Sequence, residues 1–208
     1  MTILRFDEAP SLTSLNLRVL TTRKPATTKA TLPEIRAEQR RVAFEPEDQA
    51  LFQRVCSVPP TPYMPLTAPH ILAAPLHLAM LVDKSFPISL LGLVHLSNRI
   101  ISHRPIPSDA EVDVTCHLGP RVDTDRGMEF TIVTEVHFEG TLAWEEVSTV
   151  LRRAPKPKGD KPARPPVVPG LDPGVDRSVI WRAPADIGRQ YARVSGDYNP
   201  IHLLSLSA

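Results

Sequence analysis

Four stretches in the middle of the chain are rich in Val, Ile, Thr, Phe and Trp: Leu91 to Ile101, Ala110 to Leu118, Met128 to Phe138 and Thr141 to Leu151. Arg104-Pro105-Ile106-Pro107, Gly119-Pro120 and Glu139-Gly140 separate them, and this alternation of β-formers with breakers predicts strands. In the third stretch Met128, Phe130, Ile132, Val136 and Phe138 keep a period of two, with Thr134 intervening, so one face of the sheet is buried. Glu34 to Phe44 alternates more loosely and is expected to join the same sheet. Ala68 to Val82 is apolar nearly all round, which places a helix in a core or in a membrane. Asp83-Lys84 ends that run short of the about 20 residues needed to cross a bilayer. The expectation is a central core helix, kinked at Pro75, with His70 and His77 as packed or rim residues rather than catalytic ones.

Two shorter segments have helical periodicity. Pro184 to Val194 places Ile187, Tyr191 and Val194 on one stripe, with Pro184 in the first turn and Gly196 where a helix stop is expected. It leads into Asp197-Tyr198-Asn199-Pro200-Ile201-His202, a carboxylate and an imidazole five positions apart across an Asn-Pro turn. Such a pair can position and deprotonate a water molecule without a metal. Taken alone, Asp-x-Asn-Pro is as readily a turn whose Asp and Asn side chains bond the backbone. Pro46 to Ser57 can be laid over Ala185 to Gly196, with Phe52 on Tyr191, Arg54 on Arg193, Val55 on Val194 and Cys56 on Ser195. The overlay suggests an internal repeat of one small domain. Its first copy has Val58 where Asp197 stands and lacks the Asp-x-Asn-Pro-x-His run. A chance likeness between two short amphipathic helices is the alternative.

Composition narrows the function classes. A net charge of +1 over 208 residues gives no sign of a nucleic-acid partner, and Lys156, Lys158, Lys161 and Arg164 have no interleaved aromatic residues. Cys56 and Cys116 are too few for a disulfide framework, and Met1 to Arg5 opens no signal peptide, so a cytoplasmic protein is expected. The 23 prolines, about twice the usual share, argue for long connections and against an all-helical bundle. Residues 1–29 are polar and Thr-rich and are expected as a poorly ordered lead-in, with Leu15, Leu17 and Val19 in at most a short strand. Residues 30–154 are the first domain, 155–177 a Pro- and Lys-rich linker, and 178–208 the beginning of a second domain, with Ser178 to Trp181 as its first strand. His95, His103, His117 and His137 are expected to be solvent-facing or cross-strand residues, and no metal site is expected.

The run Tyr191-Ala192-Arg193-Val194-Ser195-Gly196-Asp197-Tyr198-Asn199-Pro200-Ile201-His202, with Ala208 six positions beyond, resembles the signature of the MaoC-like (R)-specific enoyl-thioester hydratases and dehydratases. Gly92-Leu93-Val94-His95 to His103-Arg104-Pro105-Ile106 is similar to the strand and turn that follow the helix in these proteins. The whole arrangement, a diverged first half and the motif in the second, resembles the actinobacterial two-half 3-hydroxyacyl-thioester dehydratases. The resemblance implies an α+β chain of the hot-dog fold, an antiparallel sheet wrapped around a central helix, with one complete N-terminal copy and the start of a second. It implies a hydro-lyase of fatty-acid metabolism acting on trans-2-enoyl or (R)-3-hydroxyacyl thioesters of coenzyme A or acyl carrier protein, with no cofactor. Asp197 and His202 would hold water against C3 and supply a proton at C2, and Asn199 would orient the pair. Ser195, Gly196 and Tyr198 of the same run are expected to contact substrate.

In the family, the helix whose backbone N–H groups stabilise the thioester oxyanion, and most of the second sheet, follow the motif histidine, whereas this sequence stops at Ala208. The expectation is therefore a C-terminally truncated chain, completed by a longer protein, a second copy or a partner chain. The alternative is a non-catalytic acyl-thioester-binding or assembly subunit built on the first half.

Overall fold

A computed structural model describes residues 1–154 and 183–196. The linker 155–177, the strand expected at Ser178 to Trp181, and the segment Asp197 to Ala208 lie outside the described residues.

The sheet is built from β1 (Thr2–Phe6), β2 (Ile35–Val42), β3 (Leu93–Ser102), β4 (Val112–Thr124), β5 (Gly127–Phe138) and β6 (Thr141–Arg153). Their order is β1-β2-β4-β5-β6-β3. All neighbours run antiparallel except β1, which lies parallel to β2. Alternation drives the arrangement: Met128, Phe130, Ile132, Thr134 and Val136 of β5 all point inward and are buried. The β5–β6 connection is a two-residue turn in which Glu139 and Gly140 both have positive φ, 51° and 71°, the mirror-image turn that suits the twist of a hairpin. Nothing lies within 4 Å of where a Gly140 side chain would begin.

Helix α3 (Ala68–Val82) forms over the full apolar run and includes Pro75. Its Leu76 and Met80 are fully buried in one cluster with Val114, Cys116, Phe130, Ile132, Val136 and Trp144 of the sheet. Proline is accommodated because burial of this face outweighs the hydrogen bond it removes, a loss of about 3 kcal/mol in an exposed helix. The indole N–H of Trp144 donates to the Leu66 carbonyl at 2.8 Å and ties β6 to the entry of α3.

Two expectations change. Residues 1–29 are not a formless lead-in: besides β1 they carry α1 (Leu12–Thr21), on which Leu15 and Val19 are helical positions rather than strand ones. Ser11 starts α1 by accepting from the Ser14 N–H at 3.3 Å, and Leu15 is buried against Ala79 and Val82 of α3. Arg18 Nη2 and Lys24 Nζ donate to the last carbonyls of α3, at Val82 (3.4 Å) and at Leu81 and Asp83 (3.2 and 2.5 Å), supplying the cations that α3 lacks in its own last turn. The second change is at Gly119-Pro120, which bulges β4 between Leu118 and Arg121 without ending it. A bulge removes the ladder bond that proline cannot make.

Helices α2 (Pro46–Cys56) and α4 (Ile187–Ser195) pack against each other. They end alike: the residue after each, Ser57 and Gly196, has left-handed backbone with φ of 54° and 69°. These are matching positions of the overlay of Pro46 to Ser57 on Ala185 to Gly196. α4 starts later than Pro184, because Ala185 and Asp186 form a turn in which the Ile187 N–H bonds the Pro184 carbonyl at 3.0 Å.

Candidate active site

The side chains that α4 buries are Ala192, Val194 and Ser195, while Tyr191 remains 37% exposed. Tyr191, Ser195 and Gly196 form one wall of a cavity of about 250 Å³. Leu12 and Asn16 of α1 form a second wall, and Ile71, Ala74, Leu78 and Leu81 of α3 supply the apolar floor, with His70 and His77 among them. Glycine suits this place: the φ of Gly196 is positive, and a β-carbon would meet Leu12 Cδ1, the end of a flexible side chain in the cavity wall, at 2.1 Å. The Ser195 hydroxyl donates to the Tyr191 carbonyl at 3.0 Å. Asp197, Tyr198, Asn199 and His202, the rest of the expected site, lie outside the described residues.

The imidazoles of this cavity, His70 and His77, come from the first half of the chain and stand opposite Tyr191 and Ser195 of the second. Glu146 of β6 is fully buried, and both its oxygens lie within hydrogen-bond distance of His70 Nδ1, at 2.7 and 3.0 Å. Asn98 of β3 donates to the same carboxylate. Burial pushes the Glu146 carboxyl up, but the bond from His70, the charge of His70, the bond from Asn98 and the charge of His77 together hold it below the usual range. Two helical turns along α3, His77 Nε2 meets Thr134 Oγ1 at 2.6 Å, and Thr134 in turn lies 3.7 Å from Cys116 Sγ. Burial lowers the His77 pKa to about 4, with the neighbouring His70 acting in the same direction. His77 is therefore neutral near pH 7. Burial likewise pushes the Cys116 thiol up to about 12, which leaves it unreactive.

Position alone explains why these residues escape a linear reading. Glu146 shares inward parity with Trp144, Ser148 and Val150 in β6, and an acidic residue at such a position is the signal that it has a buried partner. That partner lies 76 positions away. His70, His77 and Glu146 also bring their ligating atoms within 4.8 Å of one another, so they are a set able to face one metal ion. In the structure those atoms bond within the protein, Glu146 with His70 and His77 with Thr134. A larger hollow of about 660 Å³ lies at the β1–β2 edge, where Arg41 pairs with Glu111 at 2.8 Å and Arg5 with Glu38 at 3.5 Å. No helix among the described residues is long and apolar enough to cross a membrane.

No protein-family model matches the chain. It is 30% identical over 178 residues to 3-hydroxyacyl-thioester dehydratase X of Mycobacterium tuberculosis, an overlap of 85% of this chain and 62% of that protein. The crystal structure of that dehydratase superposes with a TM-score of 0.65 at 27% identity, over 83% of this chain and 66% of the other. A MaoC-like dehydratase from Phytophthora capsici superposes with a TM-score of 0.59 at 16% identity, over 83% of this chain and 64% of the other, a likeness of fold. The chain thus spans just under two thirds of the dehydratase it matches. A sheet ordered as this one is, wrapped around α3, is the hot-dog fold of the MaoC-like dehydratases, and the chain is homologous to 3-hydroxyacyl-thioester dehydratase X.

Proposed function

We propose that the chain carries the first half and the catalytic motif of a hydro-lyase that interconverts trans-2-enoyl and (R)-3-hydroxyacyl thioesters of coenzyme A or acyl carrier protein. The observation that carries this reading is the end of α4: Gly196 sits in the wall of the α3 cavity, and the Asp-x-Asn-Pro-x-His run begins one residue later, about 3.8 Å along the chain. Homology to a 3-hydroxyacyl-thioester dehydratase supports it.

In this reading the acyl chain lies along Ile71, Ala74, Leu78 and Leu81, and the thioester faces the polar end of the cavity. Asp197 and His202 hold a water molecule; its oxygen bonds to C3 of the enoyl group as one of the pair takes a proton, and C2 receives a proton from the pair. Asn199 orients them, and Ser195, Gly196 and Tyr198 contact the substrate. The reverse sequence removes water from the hydroxyacyl thioester. The site is completed by a further copy, a partner chain or additional length of the same protein. The outer edge of β3 supports this, since it carries no strand partner among the described residues.

Loss of absorbance of the conjugated enoyl thioester tests the reading, with crotonyl-CoA and trans-2-decenoyl-CoA as substrates. The expected result is hydration to the (R)-3-hydroxy product. Saturable binding of both thioesters without turnover would support the acyl-thioester-binding subunit instead, and neither binding nor turnover would refute both.

A further inference from the structure

Helix α1 lies between two cavities. On one side is the α3 cavity, to which α1 contributes Leu12 and Asn16 and α3 contributes Leu78 and Leu81. On the other is a hollow of about 330 Å³ walled by Leu4 and Phe6 of β1, Ser14 and Arg18 of α1, and Ala79 of α3. Leu15 stands between them. It is the one residue that α1 buries, and it packs on Ala79 and Val82 of α3. The partly buried side chains around that cluster include Leu78 from the wall of the first cavity and Leu4 and Phe6 from the wall of the second. Helical period explains the division: Leu15 and Val19, four apart, form the seam on α3, so that Leu12 and Asn16 turn to one side of it and Ser14 and Arg18 to the other. Arg18, bonded to the Val82 carbonyl, holds this seam beside the last turn of α3, where Leu78 and Leu81 form the end of the cavity assigned above to the acyl terminus.

We propose that Leu15 sets the acyl length that the chain accepts. It closes the α3 cavity at its acyl end and withholds the second hollow, whose Leu4 and Phe6 would otherwise line a path for further hydrocarbon. The ligand class is then a thioester of a short to medium acyl chain. Leu15 is a specificity-determining residue of the first half and makes no contact with the reacting atoms. The inference rests on the acyl-thioester reading above and specifies its substrate class.

Butyryl-CoA and dodecanoyl-CoA, saturated thioesters that cannot be hydrated, are titrated by calorimetry into the 208-residue chain, Leu15→Ala, Leu15→Val, and the double variant Leu15→Ala with Ser14→Phe. The quantity read is the ratio of the two affinities, in which a general loss of the site cancels. Leu15→Ala should raise the preference for dodecanoyl-CoA about tenfold, the worth of about two further buried methylenes, and Leu15→Val about threefold. Leu15→Val removes a single methylene and decides the question if Leu15→Ala does not fold. Phe at position 14 fills the second hollow and should return the ratio to that of the parent. A ratio unchanged by trimming Leu15, or a rise that Ser14→Phe leaves in place, would overturn the inference while the acyl-thioester reading stood. A parent chain that binds neither thioester would overturn both.

Discussion

Thr134 and His77 show how a single polar residue reports on its surroundings. Thr134 interrupts an otherwise apolar alternation in β5, and the structure supplies the reason: its hydroxyl bonds His77 at 2.6 Å inside the core. The interruption is visible in the sequence, but the partner 57 positions away is not. His77 makes stability depend on pH. Its pKa falls from 6.5 to about 4 on folding, so between those values the unfolded chain binds the extra proton and stability rises with pH. Acidification from pH 6.5 to 4 should therefore cost about 3 kcal/mol from this group. Glu146, whose folded pKa is depressed, adds a further loss as the pH falls through the carboxylate range, below about 4.3. Denaturant unfolding at a series of pH values should show a shallower slope between pH 6.5 and 4 in His77→Gln, which can still bond Thr134 but does not titrate. An unchanged slope would place the pH dependence elsewhere.

Elements with strong periodicity were legible, and those that depend on partners were less so. α3 follows the apolar run from Ala68 to Val82, because an all-round apolar helix has one place to go. α1 was hidden because its Thr and Asn content masks a narrow stripe, and its stability comes from Leu15 packing on α3 and from the carbonyls that Arg18 reaches. β4 was expected to end at Gly119-Pro120, since a bulge and a strand end share the same breakers. Two of the glycines with positive φ, Gly140 and Gly196, give an element-level prediction. Gly140→Ala meets no neighbour and should cost about 1 kcal/mol of backbone strain. Gly196→Ala carries the same strain and also brings a β-carbon to 2.1 Å from Leu12 Cδ1, so the Leu12 side chain must swing within the cavity it lines. Butyryl-CoA titration checks the difference: Gly140→Ala should leave affinity unchanged, and Gly196→Ala should weaken it.

At the scale of the molecule, the hot-dog class was readable because the sheet strands, the buried helix and the motif all point to one architecture. The cavity was not, because it is made from three helices distant in sequence, α1, α3 and α4, with the polar grip of Glu146 behind it. Of the run that carries the proposed chemistry, the described residues reach Gly196, which lies in the wall of the cavity one residue before Asp197. The overlay of α2 on α4 gains from their matching left-handed ends and mutual packing, features that two unrelated helices need not share.

The proposal that Asp197 and His202 perform the hydration is tested most directly by the rate of crotonyl-CoA hydration for the parent chain beside Asp197→Asn and His202→Ala, with unfolding curves run on the same samples. The account predicts hydration by the parent and a loss of at least about 100-fold in each variant at unchanged stability. Hydration by both variants at the parent rate would contradict it.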